Sequence, residues 1–252
     1  MRIPIGLELY SVRDDLARDA FGTLKAVAAM GYEGVEFAGG VPHSGKFMRA
    51  ILDEVGLVCC GWHTPFEWVQ DNKLADTIAL NKAVGNTRLI VPGLPIEGSD
   101  VLGEWRKKAK FFNNLADKLA SHNMVTGYHN HTSEFEVIDG KTPWDVFFSE
   151  TEGRVVMQLD TGNARHGGAN SCDILRRFPN RAGSVHLKPY TPGAEDPFKA
   201  PIGEDATPWA DVFKLCETIG GTEWYVVEYE SSAYPPIDAV ARCLKGMKAM
   251  GK

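Results

Sequence analysis

The chain has 252 residues and a formal net charge of −6, with 44% hydrophobic and 24% charged residues, the balance of an ordinary soluble globular protein. No run of Lys and Arg offers a basic face to nucleic acid, and no apolar stretch reaches the ~20 residues of a membrane span. The first fifteen residues, MRIPIGLELYSVRDD, carry charges too early for a secretory leader. The five cysteines are an odd number and form no C-x-x-C pair, which argues against a disulfide framework or a zinc knuckle. The expectation is a cytoplasmic protein with reduced thiols.

Short β-rich apolar runs alternate with helical patterns from end to end. The first strand is predicted over residues 3–10, followed by one helix over 15–30 with Leu16, Phe21, Leu24, Val27 and Ala28 at helical spacing and Gly31 as its stop. Strand two covers 32–37, then a helix over 47–55 closed by Gly56. Strand three covers 57–63, then a helix over 74–84 closed by Gly85. Strand four is 88–91, cut by Pro92-Gly93, and a long helix follows over 101–122. Strand five covers 125–131, with a short helix over 144–149. Strand six is 155–160, with a short helix over 174–178. Strand seven is 182–188, and a proline- and glycine-rich stretch over 189–208 reads as a lid or binding loop. A helix over 209–219, strand eight over 224–230 and a last helix over 237–250 complete the chain.

Eight strand–helix units in strict alternation predict an α/β fold, a single-domain (β/α)8 TIM barrel spanning residues 1–252. A doubly wound sheet is the structural rival, but Tyr10-Ser11-Val12-Arg13 follows strand one where a G-x-G-x-x-G turn would stand.

In this fold the chemistry gathers at the C-terminal ends of the strands. Those ends read Glu8, Glu36, His63, His129 with His131, Asp160, His186 and Glu228; only strand four ends without an ionisable side chain. Acids crowded on one rim repel each other unless a cation compensates them. Taken singly, a strand-end Asp is more often a helix cap, a His a hydrogen-bonded structural group and a Glu a salt-bridge partner. Asp160, His186 and Glu228 on neighbouring strands are better explained together, as one site. Mixed carboxylate and imidazole donors suit manganese, iron, cobalt or zinc. A fourth donor is expected from His129, His131 or Glu134. Trp62, Phe66, Trp68 and Trp105 are either apolar walls of the site or ordinary packing.

The stretches Leu-Tyr-Ser-Val-Arg (9–13), Tyr-His-Asn-His-Thr-Ser-Glu-Phe (128–135), Leu-Asp-Thr-Gly-Asn (159–163), Val-His-Leu-Lys (185–188) and Val-Val-Glu-Tyr-Glu (226–230) resemble the xylose-isomerase-like barrel family of sugar phosphate isomerases and epimerases. That family also includes inosose-processing enzymes and endonuclease IV. The resemblance covers nearly the whole chain. It implies one divalent metal, manganese first, with zinc, cobalt, iron or magnesium as alternatives. Asp160, His186 and Glu228 match three ligand positions, and Glu134 is assigned the fourth, with His129 as its rival. His63, His129, His131, His166, Lys188 and Glu8 are positioned like substrate-binding groups, although Glu8 stands where relatives often have Gln.

The implied activity is a sugar isomerase or epimerase working through an enediolate, with Glu134 or Glu228 moving the proton. The same intermediate would serve a lyase, a dehydratase or a 3-keto-glycoside-cleaving enzyme. An endonuclease IV-like nuclease is disfavoured by the acidic charge. The expected partner is a small-molecule sugar, with no nucleic acid and no membrane, and relatives of this kind associate as dimers or tetramers.

Overall fold

The computed structural model describes residues 2–40 and 43–252. Eight strands, β1 (Ile5–Glu8), β2 (Gly34–Ala38), β3 (Val58–His63), β4 (Arg88–Val91), β5 (Val125–His129), β6 (Val156–Asp160), β7 (Ser184–Leu187) and β8 (Trp224–Val227), lie parallel and close in chain order, with β8 returning to β1. Helices α1 (Arg13–Arg18), α2 (Ala20–Met30), α3 (Gly45–Val55), α4 (Asp71–Val84), α5 (Val101–Ala120), α6 (Pro143–Glu150), α7 (Thr161–His166), α8 (Ser171–Arg177), α9 (Trp209–Leu215) and α10 (Pro236–Ala249) connect them. The expected TIM barrel is the observed fold.

The core lies in two places. Strand residues that face outwards, such as Leu7, Leu89, Met157, Leu159, Val185 and Leu187, are sealed under the helices with no exposed surface. An aromatic cluster of Trp105, Phe112, Tyr128 and Phe147 packs α5 and α6 onto β5, with ring centroids 5.0–6.3 Å apart. Alternate residues of each strand point into the barrel instead. Many of those side chains are polar, and Glu8, Glu36, His63, His129, Gln158, Asp160, Ser184 and His186 are all buried.

Several elements differ from the sequence reading. The first predicted helix is two, because Asp19 leaves helical geometry (φ −150°, ψ 90°) and its side chain accepts the amide of Gly22 as the N-cap of α2. Strand five ends at His129 and strand eight at Val227. Helix α7, absent from the sequence reading, starts directly after Asp160. The expected glycine stops at Gly31, Gly56 and Gly85 are observed, each with a left-handed backbone.

The stretch over residues 189–208 is a folded loop built around Asp205. Its carboxylate accepts the backbone amides of Tyr190, Gly203 and Thr207 and the indole N–H of Trp209 at 2.6–3.1 Å. Phe198 from this loop stacks on His166, with ring centroids 5.3 Å apart.

Candidate metal centre and active site

At the C-terminal mouth a cavity of about 760 Å³ opens between the strand ends, within the ~300–1,000 Å³ usual for small-molecule sites. His63, His129 and Glu228 form its floor, and His131, Glu67 and Glu230 stand around it. Tyr10, Pro65, Phe66 and Leu94 give it an apolar side. Of the four aromatic residues considered as walls, only Phe66 faces this cavity. Trp62 and Trp105 are core residues, and Trp62 donates its indole N–H to the carbonyl of Gly39.

Four side chains converge at the floor. One donor atom each from His129, Asp160, His186 and Glu228 lies within 4.8 Å of the others, all of them buried. Glu8, Glu36, His63 and His186 form a second such group among the described residues, sharing His186 with the first.

Asp160 ends β6 and opens α7. Its Oδ1 accepts the amide of Asn163 at 2.6 Å, capping the helix, while Oδ2 is buried with no partner among the described residues. The backbone of Asp160 is gripped by Asn130, whose Oδ1 accepts its amide at 2.8 Å and whose Nδ2 donates to its carbonyl at 3.2 Å. The cap and the free oxygen are therefore one arrangement: the cap fixes the carboxylate so that Oδ2 is left for the site.

His186 lies between two acids. Nδ1 is 2.6 Å from Glu228 Oε2, and Nε2 is 2.6 Å from Glu36 Oε2. Lys188, also buried, donates to Glu228 Oε1 at 3.3 Å and pairs with Glu230. Glu36 reaches its place because β2 and β3 shift register between Val35 and Glu36, which sets Glu36 opposite Gly61. A Cβ on Gly61 would lie 2.2 Å from Glu36 Oε1, so only glycine leaves room for that carboxylate.

The electrostatics follow from burial and these contacts. Burial lifts the Asp160 carboxyl to about 8. Burial, reinforced by Glu36, pushes the Glu8 carboxyl well above the ordinary carboxylate range, and its Oε2 has no partner among the described residues. Burial also works against ionised Glu36, but His63 and His186 outweigh it and hold that carboxyl low. At Glu228 burial is likewise overcome, by Lys188 and His186, and the carboxyl is held well below its ordinary value. Burial would lower His186, yet its hydrogen bonds to Glu228 and Glu36 raise it well above an ordinary imidazole. His129 and His63 are lowered, by burial first. A proton on His186 and the ammonium of Lys188 thus supply the positive charge that the acids require.

That chemistry fits a divalent cation. The donor set mixes two carboxylates with two imidazoles, one carboxylate oxygen is buried and unpartnered among the described residues, and burial raises the carboxyl that carries it to about 8. His129, Asp160, His186 and Glu228 are the residues that could hold it.

Glu134, expected as the fourth ligand and a proton carrier, is not in this group. Its Oε1 accepts the hydroxyl of Tyr128 at 2.6 Å and its Oε2 the amide of His131 at 3.0 Å. Tyr128 alternates with His129 along β5, so it points out of the barrel and holds Glu134 outside the floor. His129, the rival expected for that place, is the residue of this segment whose donor atom joins the group. Of the expected substrate contacts, His63, His129 and His131 line the cavity. Lys188, just past the end of β7, is buried against Glu228 and Glu230 and is not among the lining residues, and Glu8 lies near Glu36. His166 stands apart at the end of α7 against Phe198. The sequence reading gave no role to Gln158, Ser184, Asn130 or Gly61, although Gln158 and Ser184 each stand two residues before a recognised strand-end residue, on the same inward face.

A closed eight-stranded barrel with an acid- and imidazole-lined floor at its C-terminal mouth defines a class of small-molecule enzyme scaffold. The chain belongs to the family described as xylose isomerase-like TIM barrel, whose model matches residues 24–250. An inosose dehydratase of Klebsiella pneumoniae (strain 342) is 26% identical over 246 aligned positions, covering 81% of this chain and 80% of the relative. A sugar phosphate isomerase/epimerase structure from Parabacteroides distasonis superposes with a TM-score of 0.81 at 19% identity, covering 98% of this chain and 94% of that one. An L-ribulose 3-epimerase structure gives 0.71 at 15% identity over 98% and 94% of the two chains. At those identities the two structures establish the shared fold, and the relatives named are enzymes.

Proposed function

We propose that this protein is a divalent-cation-dependent enzyme that moves a proton on the carbon beside a carbonyl of an uncharged sugar or cyclic polyol. The observation that carries the reading is the convergence of His129, Asp160, His186 and Glu228 beneath the mouth cavity, with Asp160 Oδ2 buried and free. A divalent cation in that site, manganese first among the candidates, would supply Lewis-acid polarisation of the substrate carbonyl.

The side chains supply the rest. Glu228, at the cavity floor, is kept in its ionised acceptor form by Lys188 and His186 and is the carboxylate placed to take a proton from carbon. His63 and His131 face the same cavity and can hydrogen-bond substrate hydroxyls. Glu67 and Glu230 stand around the cavity and Glu228 at its floor, and the Lys188 ammonium pairs with only two of these three carboxylates, which favours a neutral polyol over a phosphorylated sugar. The apolar side formed by Pro65, Phe66 and Leu94 suits a ring face or an attached apolar group.

Return of the proton on the opposite face gives epimerisation, and return to the neighbouring carbon gives isomerisation. Loss of a hydroxyl β to the carbonyl gives dehydration, the second reading, favoured by the similarity to inosose dehydratase along four-fifths of the chain. Loss of a β-glycosidic oxygen would cleave a 3-keto-glycoside by the same route. Incubation in deuterium oxide with keto-sugars, inososes and 3-keto-glycosides, followed by mass spectrometry, tests the proposal. A gain of one deuterium in unchanged substrate or its epimer supports proton exchange, and loss of water supports the second reading. No exchange and no product with any of these classes in cation-loaded protein contradicts both.

A further inference from the structure

Gln158 stands on β6 two residues before Asp160 and is fully buried. Its amide joins the two groups at the barrel floor. Nε2 donates to Glu36 Oε1 and Oε2, each at 3.0 Å, and to Ser184 Oγ at 2.9 Å. Oε1 is 2.6 Å from His63 Nε2 and 3.1 Å from His129 Nδ1.

Glu36 fixes which way this amide faces. Both of its oxygens are equidistant from one Gln158 atom, and a carboxylate only accepts. The reversed amide would set a carbonyl oxygen against two carboxylate oxygens. With Nε2 towards Glu36, Oε1 meets the two imidazoles, and a carbonyl oxygen also only accepts. Both facing ring nitrogens must therefore carry hydrogen. The lone pairs of neutral His63 and His129 are then on His63 Nδ1 and His129 Nε2, so the two rings are opposite tautomers.

We propose that Gln158 is a positioning residue that locks His63 and His129 into opposite neutral tautomers, so that His129 presents Nε2 to the cation and His63 keeps Nδ1 as an acceptor for substrate. The part assigned to His129 rests on the four-donor reading above; the tautomers themselves do not. Groups that hold the second nitrogen of a liganding imidazole commonly alter metal affinity 10–100-fold.

The test uses metal-free full-length protein labelled with 15N-histidine, with ring resonances assigned through His63→Ala and His129→Ala. Long-range proton–nitrogen spectra of the wild type should show His63 protonated on Nε2 and His129 on Nδ1. The reverse pattern, or averaging between tautomers in either ring, overturns the proposal whether or not a cation binds. In Gln158→Leu the fixed tautomers should be lost and cobalt(II) affinity, measured by calorimetry, should fall about 10–100-fold. Unchanged spectra and affinity in a folded variant overturn it too. Should the wild-type rings show the assigned tautomers while cobalt(II) fails to bind, the tautomer lock is supported and the four-donor reading falls instead.

Discussion

Asp160 and Asn163 are joined by a 2.6 Å hydrogen bond from the Asn163 amide to Asp160 Oδ1, and that bond leaves Asp160 Oδ2 buried without a partner. One carboxylate therefore starts a helix and faces the barrel floor. Asp160→Asn keeps an oxygen for the cap but removes the charge offered to a cation. Manganese(II) affinity should drop at least about 100-fold, as expected when a ligand is lost outright rather than a group behind it. The melting temperature of the metal-free protein should change by only a few degrees, since Asn is an equally good cap. Calorimetric titration and thermal unfolding check the two halves.

Glu228→Gln should lower turnover about 10²–10⁴-fold while circular dichroism stays that of the folded barrel. Lys188 keeps Glu230 as its ion partner in that variant, so the buried ammonium is not stranded. Wild-type turnover would exclude Glu228 as the proton acceptor.

Cation affinity should rise with pH. Burial holds the Asp160 carboxyl up to about 8, so below that pH a cation must displace its proton. Ionisation is favoured above the raised value and opposed below it. Affinity should therefore climb about tenfold for each pH unit for each proton displaced, up to near pH 8, and flatten there for this group. Competing protonation of His186 has the same sign, because its proton is also held more tightly than in a free imidazole. Titrations of manganese(II) at pH 6, 7 and 8 measure the slope; a flat profile contradicts it.

Gly61→Ala should act on the site through Glu36. The added Cβ would stand 2.2 Å from Glu36 Oε1, forcing the carboxylate away from His186 and Gln158. A loss of about 1–3 kcal/mol in stability is expected. If stability falls while Glu36→Gln is silent, the effect lies in the backbone of β3 and not in the carboxylate.

The barrel was legible because each unit carries its own period, and glycines such as Gly31 and Gly85 sit where the helices must stop. Asp160, His186 and Glu228 were legible because they follow apolar strands at the mouth of a fold whose geometry makes strand ends converge. Glu134 lies outside the four-donor group because its carboxylate is held by Tyr128, and the motif alone does not say which of two neighbouring strand residues faces inwards. Gln158 and Ser184 were hidden one layer lower. A period-two reading extended back from Asp160 and His186 would have found them, since polar residues on the inward face of a buried strand need partners. The role of Gly61 depends on the register shift at Glu36, which the sequence does not announce.

The most direct measurement is an anomalous difference map from crystals grown with manganese(II). The account predicts one peak at the barrel floor, within bonding distance of His129, Asp160, His186 and Glu228, with Glu134 still bound to Tyr128. A peak held by Glu134 in place of His129, or a fully titrated crystal with no peak at these four residues, would contradict it.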